Sequence, residues 1–261
     1  MPAGRLDREA EVARRAAEAA GAVLRRHFRT SLAAETKGDL SPVTEADRAA
    51  EAAMRRILAE AFPEDGILGE EYGAEGEGRA RLWVIDPLDG TRAFITGRPL
   101  FAVLIALLEE GSPVLGLIAQ PVLGELWLGV RGQGLSFTSP LGGRAGTRRC
   151  PTLARAELAA TTPAMFDPEE RARFERLAAR VGRVSWGGDA YAYGLLALGL
   201  IDIIAEADLK PWDWTALVPV VEEAGGIVRD WEGHPLTFGA KGRIIALGDP
   251  ARLEEVIDLL A

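Results

Sequence analysis

Apolar residues recur every three to four positions through residues 7–29, at Val12, Ala16, Ala19, Ala20, Val23, Leu24 and Phe28, set among Arg and Glu. That period predicts an amphipathic surface helix, with His27 at its end. A second helix is expected after Thr44, an N-cap residue type, with Ala46, Ala50, Ala53, Met54, Ile57 and Ala61 as its buried stripe. Residues 62–66 read as a turn, and the apolar pair Ile67-Leu68 as a brief strand that runs out into Gly69-Glu70-Glu71. Residues 73–80, rich in Gly and Glu, are expected to be an exposed loop without chemistry. The run from Leu82 to Ile85 is short, branched or aromatic, which predicts a buried strand. Pro87 lacks a donor and fixes its own φ, so that strand is expected to give way to a loop after Asp86.

Further on, residues 101–108, 113–119 and 125–130 are strand-like runs separated by turns, an antiparallel meander. Residues 131–150 hold little periodicity and much glycine, so the junction between two halves is placed there, at 1–140 and 141–261. The second half alternates. Strands are expected near 157–162, 183–186, 201–205, 227–230 and 243–247, with helices at 168–181, 191–198 and 214–224 and one closing the chain. That order is α/β.

Composition narrows the function. The 261 residues are 48% hydrophobic and 26% charged, as in soluble globular proteins, and the net charge is −9 with a pI near 5.0. An acidic chain lacks the basic footprint of a nucleic-acid or anionic-membrane partner. Bound cations would have to overcome its field to admit an anionic substrate. One cysteine, Cys150, cannot form an internal disulfide, and the N-terminus lacks an apolar signal core, which points to a reducing cytosol. Cys150 precedes Pro151 with no His nearby, and is not expected to be a nucleophile.

The candidate chemistry lies in Trp83-Val84-Ile85-Asp86-Pro87-Leu88-Asp89-Gly90-Thr91. Asp86, Asp89 and the Leu88 carbonyl can point into one volume at a strand end. Two carboxylates about 4 Å apart repel by roughly 4 kcal/mol at an effective dielectric of 20, a cost a cation removes. All-oxygen donors favour Mg²⁺ or Mn²⁺ over zinc. Gly90 permits close backbone approach, and the amides of Gly90 and Thr91 would seat an anion if they open a helix. The plainer alternative is a polar turn after a strand. Likewise Asp213, between Trp212 and Trp214, can be a plain N-cap, and Asp47 in a first helical turn is favoured by the helix dipole alone.

Taken together, Lys-Gly-Asp-Leu-Ser-Pro-Val-Thr-Glu-Ala-Asp at 37–47, Gly-Glu-Glu at 69–71, Trp-Val-Ile-Asp-Pro-Leu-Asp-Gly-Thr at 83–91 and Trp-Asp-Trp-Thr-Ala at 212–216 resemble the inositol monophosphatase-like Mg²⁺-dependent phosphatases. The four blocks occur in that family's order and cover nearly the whole chain. Within it, 94–101, 104–107, 120–125, 188–193 and 206–211 are similar to the histidinol-phosphate phosphatase branch, from which Ala119, Trp212 and Trp214 depart.

The resemblance implies an α/β fold of the inositol monophosphatase and fructose-1,6-bisphosphatase type, an αβαβα sandwich of two sheets flanked by helices, with the site between its halves. It implies two or three Mg²⁺ ions, or Mn²⁺, ligated by Glu70, Asp86, Asp89, Asp213 and the Leu88 carbonyl. Asp39 and Lys37 would sit at the edge of a third ion. Thr91, oriented through Glu70 or Asp47, would position and deprotonate the attacking water. Gly90, Thr91, Asp189, Glu206 and Asp213 would meet the substrate. Asp189 and Glu206 would suit the ammonium and imidazole of histidinol, although inositol hydroxyls can bond to them as well, and Glu206 has a plainer alternative as a solvated strand end.

The implied reaction is hydrolysis of L-histidinol phosphate, a step of histidine biosynthesis, by a cytoplasmic homodimer. The rivals are inositol monophosphatase, another sugar phosphatase, and a non-catalytic binder of phosphorylated ligands. Haloacid-dehalogenase phosphatases are set aside, because one residue separates their two aspartates whereas two residues separate Asp86 from Asp89.

Overall fold

A computed structural model describes residues 5–30, 34–36, 42–76, 78–238 and 242–261. The first half runs α1 (Asp7–His27), β1 (Ala34–Thr36), β2 (Pro42–Thr44), α2 (Glu45–Ala61), β3 (Gly66–Gly69), β4 (Gly73–Glu75), β5 (Arg81–Asp89), α3 (Thr91–Ile95), β6 (Ala102–Glu109), β7 (Ser112–Gln120), β8 (Glu125–Val130) and β9 (Gly134–Thr138). The second runs β10 (Glu157–Ala160), α4 (Pro168–Ala178), β11 (Arg183–Trp186), α5 (Asp189–Leu196), β12 (Ile203–Glu206), α6 (Pro211–Trp214), α7 (Leu217–Glu223), β13 (Ile227–Arg229), β14 (Ile244–Leu247) and α8 (Leu253–Leu260). Thr44 directly precedes α2, but its side chain falls outside the description.

Seven strands form one mixed sheet in the order β4-β3-β5-β6-β7-β8-β9, and five form another in the order β11-β10-β12-β14-β13. Among the described residues three hydrophobic clusters fill a five-layer stack, the middle one spanning the central helical layer. α1 and α2 bury Leu24, Met54 and Leu58 against Trp83 and Ile85 of β5. The other face of β5, with Val84, joins Trp127, Leu196, Trp214 and Val220 in a middle core that reaches Ile204 and Ala246 of the second sheet. Beyond that sheet, Phe174, Leu177, Val256 and Leu260 of α4 and α8 cover Leu158, Ile203 and Ile245. β5 is buried on both faces, which is why its sequence is an unbroken apolar run rather than an alternation. This is the αβαβα sandwich the resemblance implied.

The middle layer lies close on the sheet. A Cβ at Gly116 would fall 2.0 Å from the Ala216 carbonyl oxygen, and one at Gly129 2.2 Å from that of Pro219. Glycine inside these strands is the condition for backbone contact between α7 and β7–β8.

Four expectations need correction. β5 does not stop at Asp86. Its ladder resumes at Asp89, which pairs with Ala102 after Asp86 has paired with Leu104, so the chain carries one extra residue as a bulge around Pro87. Residues 73–80 are not all loop, because β4 pairs with β3 and adds an edge strand. Within 131–150, β9 extends the first sheet: Leu135 and Phe137 turn inward in an alternation that the flanking glycines obscured. The helix expected at 214–224 is two, α6 and α7. Pro219 has no N–H to bond the Thr215 carbonyl, so it is tolerated only in the first turn of a new helix.

Candidate active site

Three carboxylates from two distant parts of the chain, Asp86 and Asp89 on β5 and Asp213 on α6, meet at the end of β5. Asp86, Asp89 and Asp213 each offer an oxygen, and these atoms all lie within 4.8 Å of one another. Each is held by a backbone amide. Leu88 N–H donates to Asp86 Oδ1 at 2.8 Å across the bulge, Ala190 N–H at the start of α5 donates to Asp89 Oδ2 at 2.7 Å, and Lys210 N–H donates to Asp213 Oδ2 at 2.7 Å. Asp213 is therefore not the N-cap. It occupies the third position of α6 and reaches back to the residue that precedes the helix, a bond that leaves its other oxygen for the cluster. A second group, Asp47, Glu70 and Glu71, likewise brings its oxygens within 4.8 Å. Glu71 was missed from sequence, where it reads only as the neighbour of Glu70.

The electrostatics are those of charge without counter-charge. Burial, followed by the fields of Glu70, Asp89, Asp213 and Asp47, drives the Asp86 carboxyl well above its ordinary range. Burial and then Asp189 and Asp213 do the same to Asp89, against the Ala190 amide. Asp213 is pushed up to about 7 by burial, with Glu70 and Glu206 adding to it and the Lys210 amide opposing. Protons or cations must occupy such a cluster. The donors are all oxygen, they come from several elements, and Asp86 is 1% exposed, so the set fits a hard divalent ion.

Thr91 opens α3 behind Gly90, whose φ of +80° suits glycine, and its hydroxyl donates to the Leu88 carbonyl at 3.1 Å. That oxygen keeps a second lone pair. Glu70, Gly90, Thr91 and Asp189 line a cavity of about 630 Å³, together with Arg92, Arg98 and the half-exposed Trp186. Burial raises the Asp189 carboxyl to about 6, against the pull of Arg98 and Arg92.

Glu206 is not a solvated strand end. It is 3% exposed and outside the cavity lining, where it accepts hydrogen bonds from Thr161 N–H at 2.7 Å and Tyr193 O–H at 2.9 Å. Burial raises its carboxyl while these two bonds hold it down. Lys37 and Asp39 lie outside the described residues. Cys150 is buried, and burial raises its thiol, which is the environment of an inert cysteine.

A layered α/β sandwich with converging carboxylates at a strand bulge defines a class, and comparison with known proteins places the chain in it. The model of the inositol monophosphatase family matches residues 5–260, so the chain belongs to that family, which is metal-dependent. It is 44% identical to the chloroplastic bifunctional phosphatase IMPL2 of Arabidopsis thaliana, over 92% of this chain and 69% of that protein. It is 39% identical to the histidinol-phosphatase of Chlorobaculum parvum, over 88% of each chain. The structure of an inositol monophosphatase from Zymomonas mobilis superposes with a TM-score of 0.90 at 44% identity, covering 99% of both chains.

Proposed function

We propose that the protein is a Mg²⁺-dependent phosphate monoester hydrolase acting on L-histidinol phosphate, with release of L-histidinol and phosphate by direct attack of water. The observation that carries this reading is the convergence of Asp86, Asp89 and Asp213 beside a cavity with Asp189 in its wall.

Glu70, Asp86, Asp89, Asp213 and the Leu88 carbonyl would hold the ions. Bound divalent ions neutralise the phosphate and make water more acidic. Thr91, which lines the cavity with Glu70, would orient the attacking water, and its hydroxyl, turning from the Leu88 carbonyl, would pass the water's proton to a carboxylate of the Asp47 and Glu70 pair. The water oxygen bonds phosphorus as the ester bond breaks, and the alcohol oxygen takes up, through solvent, the proton that the carboxylate pair received from the attacking water. Asp189 faces the alcohol portion, where its carboxylate suits the substrate ammonium or imidazole. Glu206, which accepts from Tyr193, holds the backbone of Thr161, a residue of the same cavity lining. Lys37 and Asp39 would border a third ion.

No covalent phosphoenzyme is required, because neutralisation and positioning act together. A phosphorylated enzyme trapped by rapid quench would refute direct attack. The 44% identity to an inositol monophosphatase of known structure supports inositol monophosphate as the second reading. Phosphate release from L-histidinol phosphate, inositol monophosphate and fructose 1,6-bisphosphate, each with and without Mg²⁺, decides between them. Turnover of histidinol phosphate alone supports the first reading, and preference for inositol monophosphate overturns it.

Two halves, 1–140 and 141–261, contribute to this site in the proposal, the first with most of the ligands and the second with Asp213. The same reading makes the protein a cytosolic homodimer, whose subunit count light scattering of the purified protein would check.

A further inference from the structure

Glu51 carries no role in the reaction described above, yet it is a wholly buried carboxylate one helical turn beyond Asp47 on α2. Its oxygens are directed at the Gly69-Glu70-Glu71 segment. Oε2 accepts the Glu71 N–H at 2.7 Å, and Oε1 accepts the Tyr72 N–H at 3.2 Å and the Arg55 Nε at 2.8 Å. Arg55 in turn donates to the Gly73 carbonyl. A Cβ on Gly69 would stand 2.1 Å from Glu51 Oε1, so the glycine before Glu70 is the seat of this carboxylate. Both ends of the turn that carries Glu70 are thereby clasped by one side chain of α2, the helix that also supplies Asp47.

We propose that Glu51 is a positioning residue, which fixes the Glu70 and Glu71 turn against α2 so that Glu70 meets the divalent ion. Charge-assisted bonds from two consecutive amides define the backbone on either side of Glu71 more tightly than neutral ones would. Groups that orient a metal ligand without touching the metal typically change affinity by 10–100-fold when lost. This rests on the metal-dependent reading of the site.

The test is a calorimetric titration of metal-free protein with Mn²⁺, alongside the thermal midpoint. Glu51→Gln keeps size and one acceptor but loses the charge. Gly69→Ala displaces the same carboxylate from the opposite side. Glu9→Gln is the control: it removes a buried carboxylate paired to Arg81 at 2.8 Å, which stability feels and the metal does not. Glu51→Gln and Gly69→Ala are expected to weaken Mn²⁺ binding about tenfold or more, and Glu9→Gln to leave it unchanged. Unchanged affinity in a folded Glu51→Gln or Gly69→Ala protein overturns the proposal, as does equal weakening in Glu9→Gln. Failure of the unsubstituted protein to bind Mn²⁺ would instead overturn the metal-dependent reading itself.

Discussion

Two buried aspartates show how differently the same side chain is used in this fold. Asp202 is 3% exposed just ahead of β12 of the second sheet, and Asp86 is 1% exposed in β5 of the first. The Asp202 carboxylate is gripped by both arms of Arg148, at 2.7 and 2.6 Å, and by the Glu157 N–H at 2.8 Å. Burial pushes its pKa up, but those partners outweigh burial and hold it below the usual range. Asp86 has one amide against burial and a ring of acids, and its pKa rises. Burial alone does not mark a functional carboxylate. Burial among like charges does, because such a site is completed only by something it does not contain.

The largest effect follows from removing the central charge. Asp86→Asn keeps shape and burial but loses the ligand, and phosphate release is expected to fall about 10³-fold, the scale of losing one main electrostatic contact. The thermal midpoint without metal should not fall, since the substitution removes a desolvated charge. A lower midpoint would mean that Asp86 is structural, like Asp202.

Arg148→Met provides the opposite case. It strands Asp202 in the interior and is expected to cost about 2 kcal/mol of stability, less than for a fully buried pair because water replaces a guanidinium that is 46% exposed. Denaturant unfolding measures that loss. Activity at saturating Mg²⁺ should be unchanged, and a loss of activity would break the separation between the two regions.

The pH dependence of stability has opposite signs in the two places. Asp202, with a depressed pKa, contributes stability that is present above its unfolded value and lost as pH falls through the folded one. Asp213 and Asp189, raised to about 7 and about 6, do the reverse. In metal-free protein their contribution is full below the unfolded value of 3.8 and fades as pH rises towards 6 and 7. With metal removed, the midpoint should therefore drop by a few degrees between about pH 4 and 7. Saturating Mg²⁺, which prefers the ionised cluster, should flatten or reverse that slope. A metal-free midpoint that climbs steadily over this range would contradict the assignment.

Much of this was legible in the sequence for identifiable reasons. The helical stripes of α1 and α2 and the unbroken run of β5 are strong periodic or apolar signals, and the four acidic blocks keep a recognisable order. Less legible were features decided by a distant partner. β9 is an edge strand whose alternation is framed by glycines, and the break before α7 depends on where Pro219 falls within a helix. Glu51 looks like any carboxylate on a helical surface, because the amides that bind it lie on another element twenty residues away. The spacing Glu51 to Arg55 with Gly69 ahead of two glutamates was present in the chain, but only the fold makes it a unit.

The smallest effect tests the cavity wall rather than the ions. Asp189 has a φ of +44°, a left-handed conformation that asparagine tolerates as well as aspartate does, so Asp189→Asn changes charge with little backbone strain. If its carboxylate meets a cationic part of the substrate, kcat/KM for histidinol phosphate should fall about tenfold, equivalent to about 1.4 kcal/mol. The change should be smaller for inositol monophosphate, whose hydroxyls an amide can still meet. Equal losses on both substrates would place the role of Asp189 with Asp89, whose partner amide belongs to the next residue, Ala190, and not with the leaving alcohol.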